Sequence, residues 1–271
     1  MITIGMDPTL FSMGSFLLTW HGFFSFVGVV LAVYLIGRWA KTYPGVDSDM
    51  VYSTAVWAII GGIIGARLVH VVDHWSFYSA DPVKIFAIWT GGIGLLGAIL
   101  GGFAAGALYA YLNKFPVGKL ADLTSPALLL SQAIGRIGDV INGEHCATAT
   151  SMPWGFVYTH PDSPAFMCFA NLRDATPPTH PAVVYEMIWD LLAMVVVWKL
   201  LGKLRPDGMV FTLYLTIYAL GRFFISFFRT DKVWFLGLQE SQIITVLILM
   251  VTVPLLAYKA QLVAKQATGR A

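Results

Sequence analysis

Charged side chains are scarce in this sequence: Asp, Glu, Lys and Arg make up 12% of its 271 residues, against about 25% in a soluble globular domain. With 57% hydrophobic residues and a mean hydropathy of +0.72, the composition fits a chain whose main solvent is lipid. The net charge is only +2, which excludes the strongly basic balance of a nucleic-acid binder. There is no low-complexity tract and no run of like charge, so a disordered chain is excluded as well. A Walker loop, a dinucleotide fingerprint and a Gly-x-Ser-x-Gly elbow are all absent, which leaves soluble cofactor chemistry without a foothold. The two cysteines lack metal-ligand spacing and the six histidines are scattered, so neither a metal nor a cofactor is expected.

Long apolar runs are what the sequence does have. A bilayer-spanning helix needs about 20 of them in a row, and no Asp, Glu, Lys or Arg occurs from Pro8 to Gly37, from Ile85 to Asn113 or from Ser241 to Tyr258. Four further stretches carry one to three such charged residues in an otherwise spanning composition: about Met50 to Val72, Leu120 to Ile141, Pro181 to Leu201 and Met209 to Phe228. The expectation is an all-α polytopic membrane protein of seven transmembrane helices, with residues 1–271 forming one integral membrane domain. Arg38, Lys41, Lys114, Lys119, Lys199, Lys203, Arg205, Lys259, Lys265 and Arg270 fall on one side, and only Lys84, Arg173, Arg229 and Lys232 on the other. The positive-inside rule then places the N-terminus outside and the C-terminus in the cytoplasm. The first stretch has no basic leader and no small-residue cleavage site, so it reads as a permanent helix.

One loop is long. Residues 142–180, between spans four and five, are rich in Pro, Thr, Ser and Asp and read as a small extracytoplasmic cap. Both cysteines, Cys146 and Cys168, lie in it. Outside the cytoplasm they are free to form a disulfide, and two free thiols remain the alternative. Glycines 91, 92, 94, 97, 101, 102 and 106 crowd span three, as close helix packing or close approach of lipid would require.

An ionised group at membrane depth costs several kcal/mol, about 3 on the insertion scale, and tends to face a partner or a polar cavity. Arg67, Arg136 and Arg222 lie within expected spans. Helical spacing puts Gln132, Arg136 and Asp139 on one face, as it does Tyr218 and Arg222, with Arg229 seven residues on. Glu186 and Asp190 share a face and repel unless a cation stands between them. One reading is an internally neutralised bundle, in which Arg136 pairs with Asp139 or Glu144, and Arg222 or Arg67 pairs with Glu186 or Asp190. The other is a phosphate-binding cavity that opens outward, since guanidinium groups suit bidentate contact with phosphate oxygens and the abundant phosphate of a membrane is a lipid head group.

At Gly135-Arg136-Ile137-Gly138-Asp139-Val140-Ile141-Asn142-Gly143-Glu144 the sequence resembles the bacterial prolipoprotein diacylglyceryl transferase signature Gly-Arg-x-Gly-Asn-Phe-x-Asn-x-Glu-x-x-Gly. Matches in order along the chain are Trp20-His21-Gly22, Gly65-Ala66-Arg67, Gly91-Gly92 with Gly97, Pro153-Trp154-Gly155, His180-Pro181 with Tyr185-Glu186, and Gly221-Arg222-Phe223 with Phe227-Phe228-Arg229. The resemblance implies transfer of a diacylglyceryl group from phosphatidylglycerol to the lipobox cysteine thiol of a preprolipoprotein. A thioether forms and glycerol phosphate leaves, at the outer leaflet of the bacterial cytoplasmic (inner) membrane. The implied partners are phosphatidylglycerol, the signal peptide that bears the lipobox, and membrane lipid.

Carried over residue by residue, Arg136 and Arg222 bind the phosphate, and Asn142 and Glu144 order the head group and the arginines. Gly138, Asp139 and Gln132 line the binding region, and Arg67 is a second phosphate contact or the partner of Glu186. His21 stands at the family's common Tyr position and is a candidate proton acceptor or a polar anchor. Asp139, Val140 and Ala147 replace the signature Asn, Phe and closing Gly, while Leu96 and Ser226 stand where many members have His or Tyr and some have Glu. These departures admit a non-catalytic relative that binds anionic phospholipid or lipoprotein precursor as the second reading, with a transporter a distant third.

Overall fold

The computed structural model describes residues 1–14, 16–87, 92, 94–169 and 176–263. Gly91, Arg173, Lys265 and Arg270 lie outside the described residues. Three short strands, β1 (Ile2–Ile4), β2 (Thr9–Met13) and β3 (Phe16–Thr19), precede the first helix. Next come α1 (Trp20–Ala40), α2 (Ser48–Asp73), α3 (Trp75–Ala80), a 3-10 turn (Pro82–Phe86), α4 (Leu95–Leu112) and α5 (Val117–Asn142). β4 (Phe156–Tyr158) and α6 (Pro164–Met167) occupy the long loop, followed by α7 (Ala182–Leu200), β5 (Leu204–Arg205) and α8 (Met209–Ile225). β6 (Val233–Phe235), β7 (Leu238–Gln239), α9 (Glu240–Lys259) and β8 (Gln261–Leu262) complete the order. The architecture is mostly helical, and the strands form only two-stranded pairs. Among the described residues, five helical segments are long and apolar enough to cross a membrane: α1, α2, α4, α8 with its 3-10 extension to Phe228, and α9.

Two spans start later than the apolar runs imply. The run from Pro8 is strand and turn until the Thr19 hydroxyl accepts the Gly22 N–H at 3.1 Å and caps α1, so the helix begins at Trp20 and not at Pro8. The run from Ile85 passes first through the 3-10 turn and through Gly92, which has φ +77°, before α4 begins at Leu95. Apolar composition alone does not distinguish a helix from an apolar approach to one.

The chain forms two units by its internal contacts. One comprises Gly14–Phe16 and Val33–Leu120. Here α2 and α4 pack backbone to backbone: a Cβ on Gly65 would overlap the Gly97 carbonyl, and one on Gly97 would overlap that of Gly65. The same Gly65 Cβ would lie 2.9 Å from Gly101 Cα. Gly97, Gly101, Gly102 and Gly106 of α4 therefore serve close helix packing, where small residues let dispersion contacts form along the backbone.

The other unit comprises Met1–Met13, Leu17–Ala32 and Ala121–Ala271. Leu129, Val197, Val210, Met209 and Tyr214 form its core between α5, α7 and α8. The start of α8 is capped from α5: the buried Asp122 carboxylate accepts the N–H groups of Gly208 and Phe211 at 2.8 and 2.9 Å. β1 pairs in parallel with β4, which ties the N-terminus to the long loop. Cys146 and Cys168 are joined in a disulfide, which settles the open choice about the thiols.

Candidate active site

The site is built within the second unit from the last turns of α5 and the facing sides of α7 and α8. α5 ends at Asn142 because Gly143 adopts φ +68° and its N–H returns to the Asp139 carbonyl at 2.8 Å, a left-handed helix cap that suits glycine. A side chain at residue 143 would also run into Tyr158, whose ring atoms lie 2.8 and 2.9 Å from an ideal Cβ. That turn brings Glu144 back beside the helix end, where its Oε1 accepts the Asn142 amide at 2.7 Å. The Tyr158 hydroxyl donates to the Val140 carbonyl at 2.9 Å, and burial raises its pKa.

Glu186 on α7 is the centre of the charged cluster. Arg136 of α5 approaches its Oε2 at 2.5 Å, Arg222 of α8 pairs with its Oε1, and Arg229 lies 3.5 Å from the same oxygen. Asp139 takes a second bond from Arg136 at 2.7 Å, and Asp231 accepts from Arg229 Nε at 2.9 Å. Three guanidinium groups therefore meet three carboxylates. Side-chain exposure divides them: Arg136 and Arg222 keep 18% and 16%, whereas Arg229 keeps 3% and Glu186 5%. Burial and the neighbouring Arg222 guanidinium lower the Arg229 pKa.

His21 at the start of α1 reaches this cluster through Asp139, with its Nδ1 on Asp139 Oδ1. Gly138 makes the approach feasible, since an ideal Cβ there would lie 2.6 Å from His21 Cα. Gln132, expected on the binding face, donates to the Tyr214 hydroxyl at 3.2 Å. His145, next to Glu144, is held neutral: burial first, and then the Arg229 guanidinium, push its pKa from 6.5 down to about 4.

Arg67 belongs to the other unit. Its guanidinium donates to the carbonyls of Lys84, Ile85, Ala87 and Gly92 at 2.5 to 3.3 Å, so it folds the segment that leads into α4. The partner that the sequence offered it, Glu186, is engaged instead by Arg136, Arg222 and Arg229.

The structure therefore brings together His21, Arg136, Asp139, Asn142, Glu144 and Arg222. It adds Glu186 as their anionic hub, Arg229 and Asp231 as its buried support, and His145. Sequence reasoning treated Glu186 only as a counter-ion and put Arg229 in an outer loop. The signal that could have found them was the pair of motifs Tyr185-Glu186 and Phe228-Arg229, already present among the family matches. Arg136 and Arg222 are thus two partly exposed guanidiniums fixed on one buried carboxylate, that of Glu186.

A family model described as prolipoprotein diacylglyceryl transferase matches residues 8–258. Among curated relatives, a phosphatidylglycerol–prolipoprotein diacylglyceryl transferase of Dehalococcoides mccartyi is 35% identical over 263 residues, covering 96% of each chain. One of Trichormus variabilis is 35% identical over 88% of this chain and 84% of its own, and one of Staphylococcus haemolyticus is 31% identical over 94% and 88%. The chain belongs to the prolipoprotein diacylglyceryl transferase family.

Proposed function

We propose that this protein transfers the diacylglyceryl group of phosphatidylglycerol to the lipobox cysteine of preprolipoproteins, releasing glycerol phosphate. The observation that carries the reading is the pair Arg136 and Arg222, locked on Glu186 with part of each guanidinium still exposed. Leaving-group phosphate is the species such a pair stabilises as charge develops in a water-poor site. Asn142 and Glu144 order the head group beside them, with Gly138, Asp139 and Gln132 shaping the same region and Arg67 supporting the Gly92 segment. His21 accepts the thiol proton, because a thiol with a pKa near 8.5 is only a few per cent thiolate at neutral pH.

The same reading makes the chain one integral domain with seven spans in the bacterial inner membrane, the N-terminus outside and residues 142–180 an extracytoplasmic cap. Support comes from α5 and α7, helices of 26 and 19 residues, which at 1.5 Å per residue reach about 39 and 28 Å and match a hydrocarbon core of about 30 Å. Ionisable residues interrupt both: Asp122, which caps α8, with Arg136 and Asp139 of the site on α5, and Glu186, Asp190 and Lys199 on α7. Both substrates, lipid and signal peptide, then reach the site from the bilayer.

The test is kinetic. Purified protein with phosphatidylglycerol vesicles and a lipobox peptide should yield thioether peptide and glycerol phosphate, and Arg136→Ala or Arg222→Ala should lose about 10²-fold or more in turnover. Saturable lipid binding without product from the wild type, or full activity in both variants, would overturn the reading.

A further inference from the structure

His21 and Asp139 stand 118 residues apart in sequence and touch. Asp139 is buried and divided between two partners, Oδ1 meeting His21 Nδ1 and Oδ2 meeting Arg136 at 2.7 Å. The Asp139 side chain is 2% exposed and that of His21 49%, so the carboxylate anchors one edge of a ring that is otherwise open. An ionised carboxylate only accepts, and the hydrogen in this contact therefore belongs to Nδ1. A neutral imidazole with Nδ1–H carries its lone pair on Nε2, and no hydrogen bond engages Nε2 among the described residues. Both residues are departures from the family pattern set out above, and the two departures are in contact.

We infer that Asp139 is a positioning residue: it fixes His21 in the Nδ1–H tautomer, so that Nε2 takes the proton of the substrate thiol. The inference rests on the transferase reading. In the step, the S–H bond breaks and its proton passes to Nε2. The sulfur electron pair forms the S–C bond to the glyceryl carbon, and the C–O pair leaves on glycerol phosphate. The imidazolium so formed sits against the Asp139 carboxylate until its proton passes to the departing phosphate or to water. Asp139 Oδ2 also accepts from Arg136, and an asparagine at residue 139 keeps that bond through its amide oxygen while turning its NH2 toward His21.

The experiment compares the full-length wild type with Asp139→Asn, His21→Gln and the double variant, in phosphatidylglycerol vesicles with a lipobox peptide. An asparagine amide at residue 139 donates to Nδ1 and selects the opposite tautomer, which removes the acceptor. Asp139→Asn and His21→Gln should each lower kcat by about 10²-fold, with KM for the peptide little changed, and the double variant should be no slower than His21→Gln alone. Nitrogen-15 NMR of labelled histidine should show His21 protonated at Nδ1 in the wild type and at Nε2 in Asp139→Asn. Losses that multiply in the double variant, or a raised KM for phosphatidylglycerol as the only effect, would reduce Asp139 to a holder of Arg136 and overturn the inference. An Nε2–H His21 in the wild type would overturn it too. An inactive wild type would overturn the transferase reading and the proton step with it, whereas an active wild type with an equally active Asp139→Asn would overturn the dyad alone.

Discussion

Replacing Glu186 by Gln keeps the shape of the side chain and removes the charge on which three arginines converge. In the native cluster Arg136, Arg222 and Arg229 are balanced by Asp139, Glu186 and Asp231. The substitution leaves one positive charge without a counter-ion in a place where Glu186 and Arg229 are almost wholly buried. Breaking a buried ion pair from one side costs about 3–5 kcal/mol. Arg136 and Arg229 keep Asp139 and Asp231, and the Gln oxygen still accepts a hydrogen bond, so the loss belongs at the lower end, about 3 kcal/mol. That is roughly a 100-fold fall in the ratio of folded to unfolded protein. The assay is unfolding in a zwitterionic detergent, repeated with phosphatidylglycerol or phosphatidylcholine added. An anionic head group supplies the missing charge, so phosphatidylglycerol should restore more stability to Glu186→Gln than to the wild type, and phosphatidylcholine should not. A loss below about 0.5 kcal/mol, the range of an exposed pair, or equal responses to the two lipids, would refute the reasoning.

Asp122→Ala leaves the Gly208 and Phe211 N–H groups at the start of α8 without their acceptor. It should cost about 2 kcal/mol in thermal unfolding, while Asp122→Asn, which retains one acceptor oxygen, should cost less. His145 has an unfolded pKa of 6.5 and a folded value of about 4, so the unfolded chain binds its proton first as pH falls. Stability should therefore drop between about pH 6.5 and pH 4 by up to roughly 3 kcal/mol, and melting curves across that range should be flatter for His145→Gln than for the wild type. The Cys146–Cys168 bridge closes a loop with a sequence separation of 22. Its removal in the Cys146→Ser, Cys168→Ser double variant should cost about 3 kcal/mol by chain entropy, read as a lower midpoint in the same unfolding assay under non-reducing conditions.

The helices that carry the site were legible in the sequence almost to their ends. Leu120 to Ile141 became Val117–Asn142, Pro181 to Leu201 became Ala182–Leu200, and Met209 to Phe228 became Met209–Ile225 with its 3-10 extension to Phe228. Each is an apolar stretch bounded by polar or turn residues, and that pattern needs no tertiary information. The starts of α1 and α4 were not legible, because the strand and turn before them are as apolar as the helices and the boundary depends on the Thr19 cap in one case and on glycine backbone conformation in the other. For Arg136 the sequence offered Asp139, three residues on, or Glu144, and the structure pairs it with Asp139. Across the fold, the pair of Arg222 with Glu186 was among the combinations the buried charges allowed, whereas His21 with Asp139, Arg136 and Arg229 on Glu186, and Arg67 with a set of backbone carbonyls have no local signature. Arg67 shows the limit most clearly, since an intramembrane arginine advertises its charge but not that carbonyl oxygens satisfy it.

The central claim, that the two partly exposed arginines hold the leaving phosphate while a thiolate attacks the glyceryl carbon, is tested most directly by the mass of a lipobox peptide recovered after incubation with the protein and phosphatidylglycerol. The account predicts a gain of one diacylglyceryl group on the cysteine sulfur and one glycerol phosphate released per peptide modified. A peptide recovered unmodified, or modified without release of glycerol phosphate, would contradict it.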